Sequence, residues 1–169
     1  MKNELRKEIK KKLQKDNVEP NNEIKNICNS FNFIAMYKSL PEEMNTEEII
    51  NDLIKKNKTI LLPVMDKNEI KFVEYTKECK KNCYNIEEPI GKIYEGKIDA
   101  IIVPGLAFDL NKNRLGRGKG CYDKYLKNYN GIKIGLCKET QIIEKVPVEE
   151  HDIKMDIIVT EKRVIKWTL

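Results

Sequence analysis

Ala100 to Val103, AIIV, is an apolar run without a polar break, closed by Pro104-Gly105. A strand with one face in water alternates apolar and polar residues. An unbroken run closed by turn residues therefore reads as a central strand of a parallel sheet, covered on both faces and running into a loop. A parallel sheet in turn requires crossover segments, usually helices, to lie on its faces.

The rest of the chain supplies those partners. Leu5, Ile9 and Leu13 recur every four residues and predict an N-terminal helix with a narrow apolar stripe. Lys2 and Arg6 have the same spacing and leave one face beside that stripe. Pro20 opens a second helix, with Ile24, Ile27 and Phe31 turned inward. Asn45 or Thr46 caps a third, with Glu47 and Glu48 in its first turn and Ile49, Ile50, Leu53 and Ile54 as its core face. Helical character resumes near Tyr122, with Tyr125 and Leu126 inward. Phe33–Tyr37, Thr59–Val64, Ile132–Leu136 and Asp156–Val159 read as strands, and Ile70–Tyr75 as a strand with one solvated face. Residues 77–97 are polar and read as loop-rich. Alternating strands and helices predict an α/β fold, a single-domain three-layer sandwich over residues 1–169 with a largely parallel, Rossmann-like sheet.

Charge and cysteine content narrow the function. The formal net charge is +5, from 32 basic and 27 acidic residues largely interleaved, so no polyanion-binding face is required. Neither a nucleic-acid nor a membrane partner is expected. Cys28, Cys79, Cys83, Cys121 and Cys137 contain no CxxC pair and read as reduced thiols. The charged start, MKNELRKEIKKKL, has neither the apolar stretch of a secretory signal nor the acid-poor character of a transit peptide, which predicts a cytoplasmic protein. A monomer is expected.

Beyond AIIV lies the segment that carries chemistry, RLGRGKGCYD from Arg114 to Asp123. In open α/β sheets, ligands bind beyond the carboxyl ends of the strands. Gly116, Gly118 and Gly120 let the backbone approach a ligand, while Arg114, Arg117 and Lys119 add charge suited to phosphate. The segment is neither a Walker A loop nor a GxGxxG fingerprint. On composition alone, a solvated Gly/Lys surface loop is the alternative. The apolar flanks PGLAF and YDKYL, and the position after a buried strand, weigh against it.

PGLAFD at 104–109 followed by RLGRGKGCYD at 114–123 strongly resembles the signature of the 5-formyltetrahydrofolate cyclo-ligase family. Lys2-Asn3-Glu4-Leu5-Arg6 is similar to that family's N-terminal KxxLR. Glu43-Met44-Asn45-Thr46 looks like its EVDT-type motif, and Pro147 to Glu161 like its closing segment. The resemblance implies an enzyme that uses ATP and Mg2+ to convert 5-formyltetrahydrofolate, possibly polyglutamated, into 5,10-methenyltetrahydrofolate, ADP and phosphate. It further implies that Lys2, Arg6 and the stretch Arg114, Leu115, Gly116, Arg117, Gly118, Lys119, Gly120, Cys121 and Tyr122 bind ATP, with Arg117 stabilising the transferring phosphoryl. Glu43 and Met44, with Arg117, Gly118, Lys119, Gly120 and Cys121, would contact the folate, and Tyr37 and Phe108 are further candidates to flank the pterin. Asp123 and Asp152 would hold Mg2+.

Read without the resemblance, Lys2 and Arg6 belong to a solvated basic helix face, Glu43 is an exposed acid before a helix, and the two aspartates are cap or loop residues. One position departs from the pattern: Cys121 stands where the family has the first tyrosine of YYD. His151, the only histidine, excludes histidine-based metal clusters. Sugar-phosphate isomerases and CoA transferases also place anion-binding glycine loops on α/β sheets, and a nucleic-acid-binding module is the non-enzymatic alternative.

Overall fold

The computed structural model describes residues 1–16, 18–75, 79–81 and 87–166. Helices are α1 (Lys2–Lys12), α2 (Glu23–Cys28), α3 (Glu47–Lys55) and α4 (Cys121–Leu126). Strands are β1 (Phe33–Ala35), β2 (Thr59–Asp66), β3 (Glu69–Glu74), β4 (Cys79–Lys81), β5 (Glu87–Pro89), β6 (Ala100–Val103), β7 (Ala107–Phe108), β8 (Arg114–Leu115), β9 (Ile132–Leu136), β10 (Ile157–Val159) and β11 (Val164–Ile165). The main sheet has the order β11-β10-β9-β6-β1-β2-β3. Its five inner strands are parallel, and β3 and β11 close the edges antiparallel. All four residues of AIIV are buried in β6, between β1 and β9, the central position that its unbroken apolar run predicts.

Layering follows from side-chain alternation along the strands. Ile34, Ile60, Leu62, Ala100, Ile102 and Ile134 face α2 and α3, meeting Ile24, Cys28, Ile49, Ile50 and Leu53. Ala35, Leu61, Ile101, Val103 and Ile158 point the other way, into the cluster that contains Leu126 of α4. The result is helix, sheet and helix, built by burying the apolar stripe of each element. Ile54 differs from expectation. It is part-exposed at the edge of the α3 stripe, while Ile49, Ile50 and Leu53 are buried. α3 also starts at Thr46 without a side-chain cap bond. The Thr46 hydroxyl instead donates to the Tyr37 carbonyl, and the Asn45 side-chain oxygen accepts from Glu47 N.

Residues 77–97 are not wholly loop. Among the described residues, β4 and β5 pair antiparallel, and the buried Glu88 carboxylate accepts a 2.7 Å bond from Met65 N, tying the pair to β2. Polar composition concealed this ladder because its register rests on backbone bonds. Cys83 and part of this stretch lie outside the described residues. Cys28, Cys121 and Cys137 are free thiols. Burial pushes the Cys28 thiol up to about 12, against a small opposing pull from Lys58. Among the described residues no helix is long and apolar enough to cross a membrane.

From β1 the chain moves outward to β2 and β3, then returns to the other side of β1 for β6, β9 and β10. The loops after β1 and β6 therefore diverge at their carboxyl ends, where such sheets open a crevice.

Candidate active site

The loop after β6 is pinned on several sides. Leaving β6, Pro104 and Gly105 lead into the hairpin β7–β8, whose Leu106 N donates to Leu115 O at 2.7 Å. Gln141, buried in a short 3-10 turn after β9, donates from its amide to both the Gly105 and Leu106 carbonyls at 3.0 Å. The Phe108 ring fills the space at Gly105 and Gly135, where an added Cβ would lie 2.9 and 2.6 Å from it. Asp109 is buried and accepts from the backbone of Asn111, Asn113 and Val146 and from the Asn113 amide. Much of PGLAFD is therefore a device that fixes a loop. Phe108, a candidate for flanking the pterin, is fully buried as part of it.

Arg114 begins the basic segment and lies beneath it. Its side chain is 6% exposed. Nε donates to the Pro104 carbonyl at 2.7 Å, Nη1 lies 3.7 Å from the Asp123 carboxylate, and the guanidinium sits 5.3 Å from the Tyr122 ring centroid. A Cβ on Gly116 would come within 3.0 Å of the same guanidinium, so the loop lies directly on it. Desolvation lowers the Arg114 pKa, partly offset by Asp123. Beyond Gly116 the segment emerges into solvent. Gly118 and Gly120 have φ of +114° and +68°, the region that side chains other than glycine's enter at a cost, and Gly120 leads into α4.

α1 closes this surface from the side. None of its residues is fully buried, but Leu5, Ile9 and Leu13 pack on Leu106, Ala107, Leu115 and Val146. Arg6 Nε donates to the Gly116 carbonyl at 2.9 Å, and its Nη1 donates to the Asn3 side chain at 2.9 Å. Lys2 Nζ donates to Asp152 at 2.5 Å and lies 3.4 Å from Glu149. Burial pushes the Asp152 carboxyl up, but bonds from Lys2 and the Glu149 amide, with the charges of Lys2 and His151, outweigh it and hold the group below the usual carboxylate range. Asp123 Oδ1 also accepts from Ile153 N.

The cleft enclosed in this way has a volume of about 760 Å³. Its lining includes Lys2 and Arg6, every residue from Arg114 to Asp123, and Asp152. Asn3, Met65 and Ile70 also line it; no site role is legible for any of them in the sequence, and only Asn3 lies in a motif, at one of its unspecified positions. Glu43 and Met44 stand apart from this lining. Met44 is buried in the core beside α2 and α3. Glu43 Oε1 accepts from Leu40 N at 2.7 Å, and its other oxygen lies 3.8 Å from Arg117 Nη2, with Glu42 3.5 Å from the same nitrogen. Burial raises the Glu43 pKa; the Leu40 amide and Arg117 oppose this, and Glu42 adds to it. Arg117 thus reaches from the glycine loop to the loop after β1. Tyr37 is buried at the end of β1.

The model of the 5-formyltetrahydrofolate cyclo-ligase family matches residues 1–161. The chain belongs to that family. It is accordingly an enzyme, a ligase by class. The 5-formyltetrahydrofolate cyclo-ligase of Mus musculus is 36% identical over 147 residues, covering 76% of this chain and 72% of its own. The enzyme of that name in Escherichia coli strain K12 is 32% identical over 146 residues, covering 79% and 80%. The solved structure of Aquifex aeolicus 5,10-methenyltetrahydrofolate synthetase superposes with a TM-score of 0.80 at 30% identity, covering 98% of this chain and 92% of that one.

Proposed function

We propose that this cyclo-ligase, acting as a single domain over residues 1–169 in the cytoplasm, converts 5-formyltetrahydrofolate into 5,10-methenyltetrahydrofolate with ATP, releasing ADP and phosphate. The observation that carries the reading is Arg117. It belongs to a cationic glycine loop suited to phosphates, yet its guanidinium reaches a buried carboxylate, Glu43, suited to an amino-pyrimidinone edge. One side chain thereby links the two chemistries the reaction must join.

A formyl oxygen is a poor leaving group. Transfer of the γ-phosphoryl to it converts it into one: the bridging bond of ATP breaks, ADP departs, and an iminium phosphate forms. N10 then attacks the formyl carbon, phosphate leaves with the carbon–oxygen electron pair, N10 gives up its proton, and the ring closes. Phosphoryl transfer asks mainly for positioning and charge neutralisation. Lys2, Arg6 and Lys119 line the cleft with Arg117, and Gly116, Gly118 and Gly120 keep the backbone bare of side chains. In this mechanism Arg117 neutralises charge on the transferring group, and Arg114, enclosed beneath Gly116, holds the loop and Asp123 in position.

The donor set fits magnesium carried in on a nucleotide. Asp123 and Asp152 offer hard oxygens at one cleft, and Mg2+ commonly takes one or two carboxylates together with phosphate oxygens and water. Among the described residues no group of three or more His, Cys, Asp or Glu could hold a metal. When bound, it would supply positive charge to the phosphate oxygens. The test is to incubate the protein with 5-formyltetrahydrofolate, ATP and Mg2+ and follow the methenyl product by absorbance. A folded protein that forms no product sinks the reading.

A further inference from the structure

The segment that follows β9 holds a lysine that no motif marks. The Lys138 side chain is only 4% exposed. Burying an ammonium costs heavily unless it is both paired and hydrogen-bonded. Lys138 is both: its Nζ donates to the Gln14 carbonyl at 2.7 Å and to the Asp16 carboxylate, which is itself half-exposed. Gln14 and Asp16 follow the C-terminal end of α1, about 15 Å along the helix axis from Lys2. We propose that Lys138 is a positioning residue for the nucleotide: it anchors the far end of α1 and thereby holds Lys2 and Arg6 where phosphates meet them. The proposal rests on the reading of Lys2 and Arg6 as phosphate ligands.

Lys138 grips from a fixed platform. Its N–H donates to the Gln141 side-chain oxygen at 2.9 Å, and Gln141 N donates back to the Lys138 carbonyl at 2.8 Å. The Gln141 amide in turn holds the Gly105 and Leu106 carbonyls. Between these two residues, Glu139 N donates to the Glu161 carboxylate at 2.6 Å, and the Glu139 carboxylate accepts from the Thr160 hydroxyl at 2.7 Å and from Arg163 at 2.8 Å. Gly105 lines the cleft, and Leu106 lies under the α1 stripe. One short segment therefore sets the base of the glycine loop, the floor beneath α1 and the tether of α1 against one another.

α1 depends on such a tether. None of its residues is fully buried, so its apolar stripe docks only in part. At the cleft end, its attachments are made by the same groups that a nucleotide recruits. Lys2 is paired with Asp152 and Glu149, and Arg6 is bonded to the Gly116 carbonyl and to Asn3. A phosphate that draws on Lys2 and Arg6 competes with those partners and weakens their hold. The bonds of Lys138 stand outside that exchange, because Lys138, Gln14 and Asp16 do not line the cleft. They keep α1 seated while its contacts at the cleft change hands. Apparent affinity falls in proportion to the fraction of molecules in the competent arrangement. Loosening the tether therefore acts on ATP affinity and spares the chemical step.

Steady-state kinetics on the full chain, with 5-formyltetrahydrofolate and ATP–Mg2+ varied in turn, test the proposal. Lys138→Met keeps the apolar stem and deletes the donor. It is expected to raise the KM for ATP roughly threefold to thirtyfold, with kcat at saturating ATP and the KM for the folate unchanged. Asp16→Ala, at a half-exposed site, is expected to raise the same KM by less, and it decides the matter if Lys138→Met does not fold. Hydrogen-exchange protection of α1 without ligand should fall in Lys138→Met while that of β6 and β9 holds. An unchanged KM for ATP, or a rise shared equally by the folate KM, overturns the proposal and leaves the cyclo-ligase reading intact. Unchanged protection of α1 overturns it as well. Should the wild-type protein turn over no folate, the cyclo-ligase reading fails separately, and calorimetric titration with ATP–Mg2+ decides. Binding weakened in the variants supports the tether, and equal binding, or none in the wild type, overturns it.

Discussion

Arg114 and Arg117 stand three residues apart in one loop, and their surroundings predict opposite phenotypes. The Arg114 side chain is 6% exposed and that of Arg117 is 38% exposed. Arg114→Ala strips the Pro104 carbonyl of its 2.7 Å donor, which alone costs about 1–3 kcal/mol in a buried setting. It also removes the cation beside Asp123 and the body on which Gly116 rests. Breaking a buried charge pair from one side brings the total to about 3–5 kcal/mol. At about 2–4 °C per kcal/mol for a chain of this size, the melting temperature should fall by roughly 6–20 °C. Arg117→Ala breaks only contacts of 3.5 and 3.8 Å at a partly exposed site, worth within about 0.5 kcal/mol. Its turnover should nevertheless fall about 10²–10³-fold, as when one preorganised donor to a transition state is lost. Calorimetry and the methenyl absorbance assay on the same preparations measure both. If Arg114→Ala melts within 2 °C (about the effect of 1 kcal/mol) of wild type, or if Arg117→Ala keeps its rate, the division of labour is refuted.

Glu43→Gln should separate binding from stability. Because burial raises the Glu43 pKa in the folded protein, its contribution is full below the unfolded value and is lost as pH rises through the folded value. The glutamine variant should therefore equal or exceed wild type in urea stability at pH 7.5, while its folate KM rises at least about tenfold through the lost carboxylate contact. Asp152 has the opposite sign. Its depressed pKa gives stability that is present above the unfolded carboxylate value of about 4 and is lost as pH falls through the lower folded value. Hydrogen-exchange protection factors in α1, taken relative to the intrinsic rate at each pH, should fall in acid, and Lys2→Ala should remove most of that acid dependence; an unchanged profile in the variant would mean Lys2 does not hold Asp152. Gly120→Ala meets no atom within 4 Å but has φ of +68°, so it should cost about 1 kcal/mol. Gly105→Ala drives a Cβ to 2.9 Å from the Phe108 ring and should cost about 1–3 kcal/mol. Thermal melts that rank these two in the reverse order would contradict the packing described.

What the sequence disclosed tracks the periodicity of each element. AIIV announced its burial on both faces, and Leu5, Ile9 and Leu13 announced the stripe of α1, because side-chain repeats report which surfaces are covered. The same repeats gave no hint that α1 packs on the β7–β8 hairpin, since a stripe does not name its partner. Two-residue strands such as β7, β8 and β11 are too short to alternate, so PGLAFD and RLGRGKG read as plain loop although they form a ladder. The cationic cleft was legible because charge and glycine share one short segment. Arg114 and Arg117 are chemically identical in sequence, and only burial separates the enclosed side chain from the one at the cleft surface.

The attachment of α1 has a consequence for how the protein matures during synthesis. The helix is translated well before its partners: Lys2 is bonded to a residue 150 positions later, and the surface beneath Leu5, Ile9 and Leu13 includes Val146. Until Val146 and Asp152 have emerged from the ribosome, α1 has nothing complete to dock against. Closing so long a loop is among the slowest kinds of contact to form. Catalytic competence should therefore appear late, after the central strands have paired.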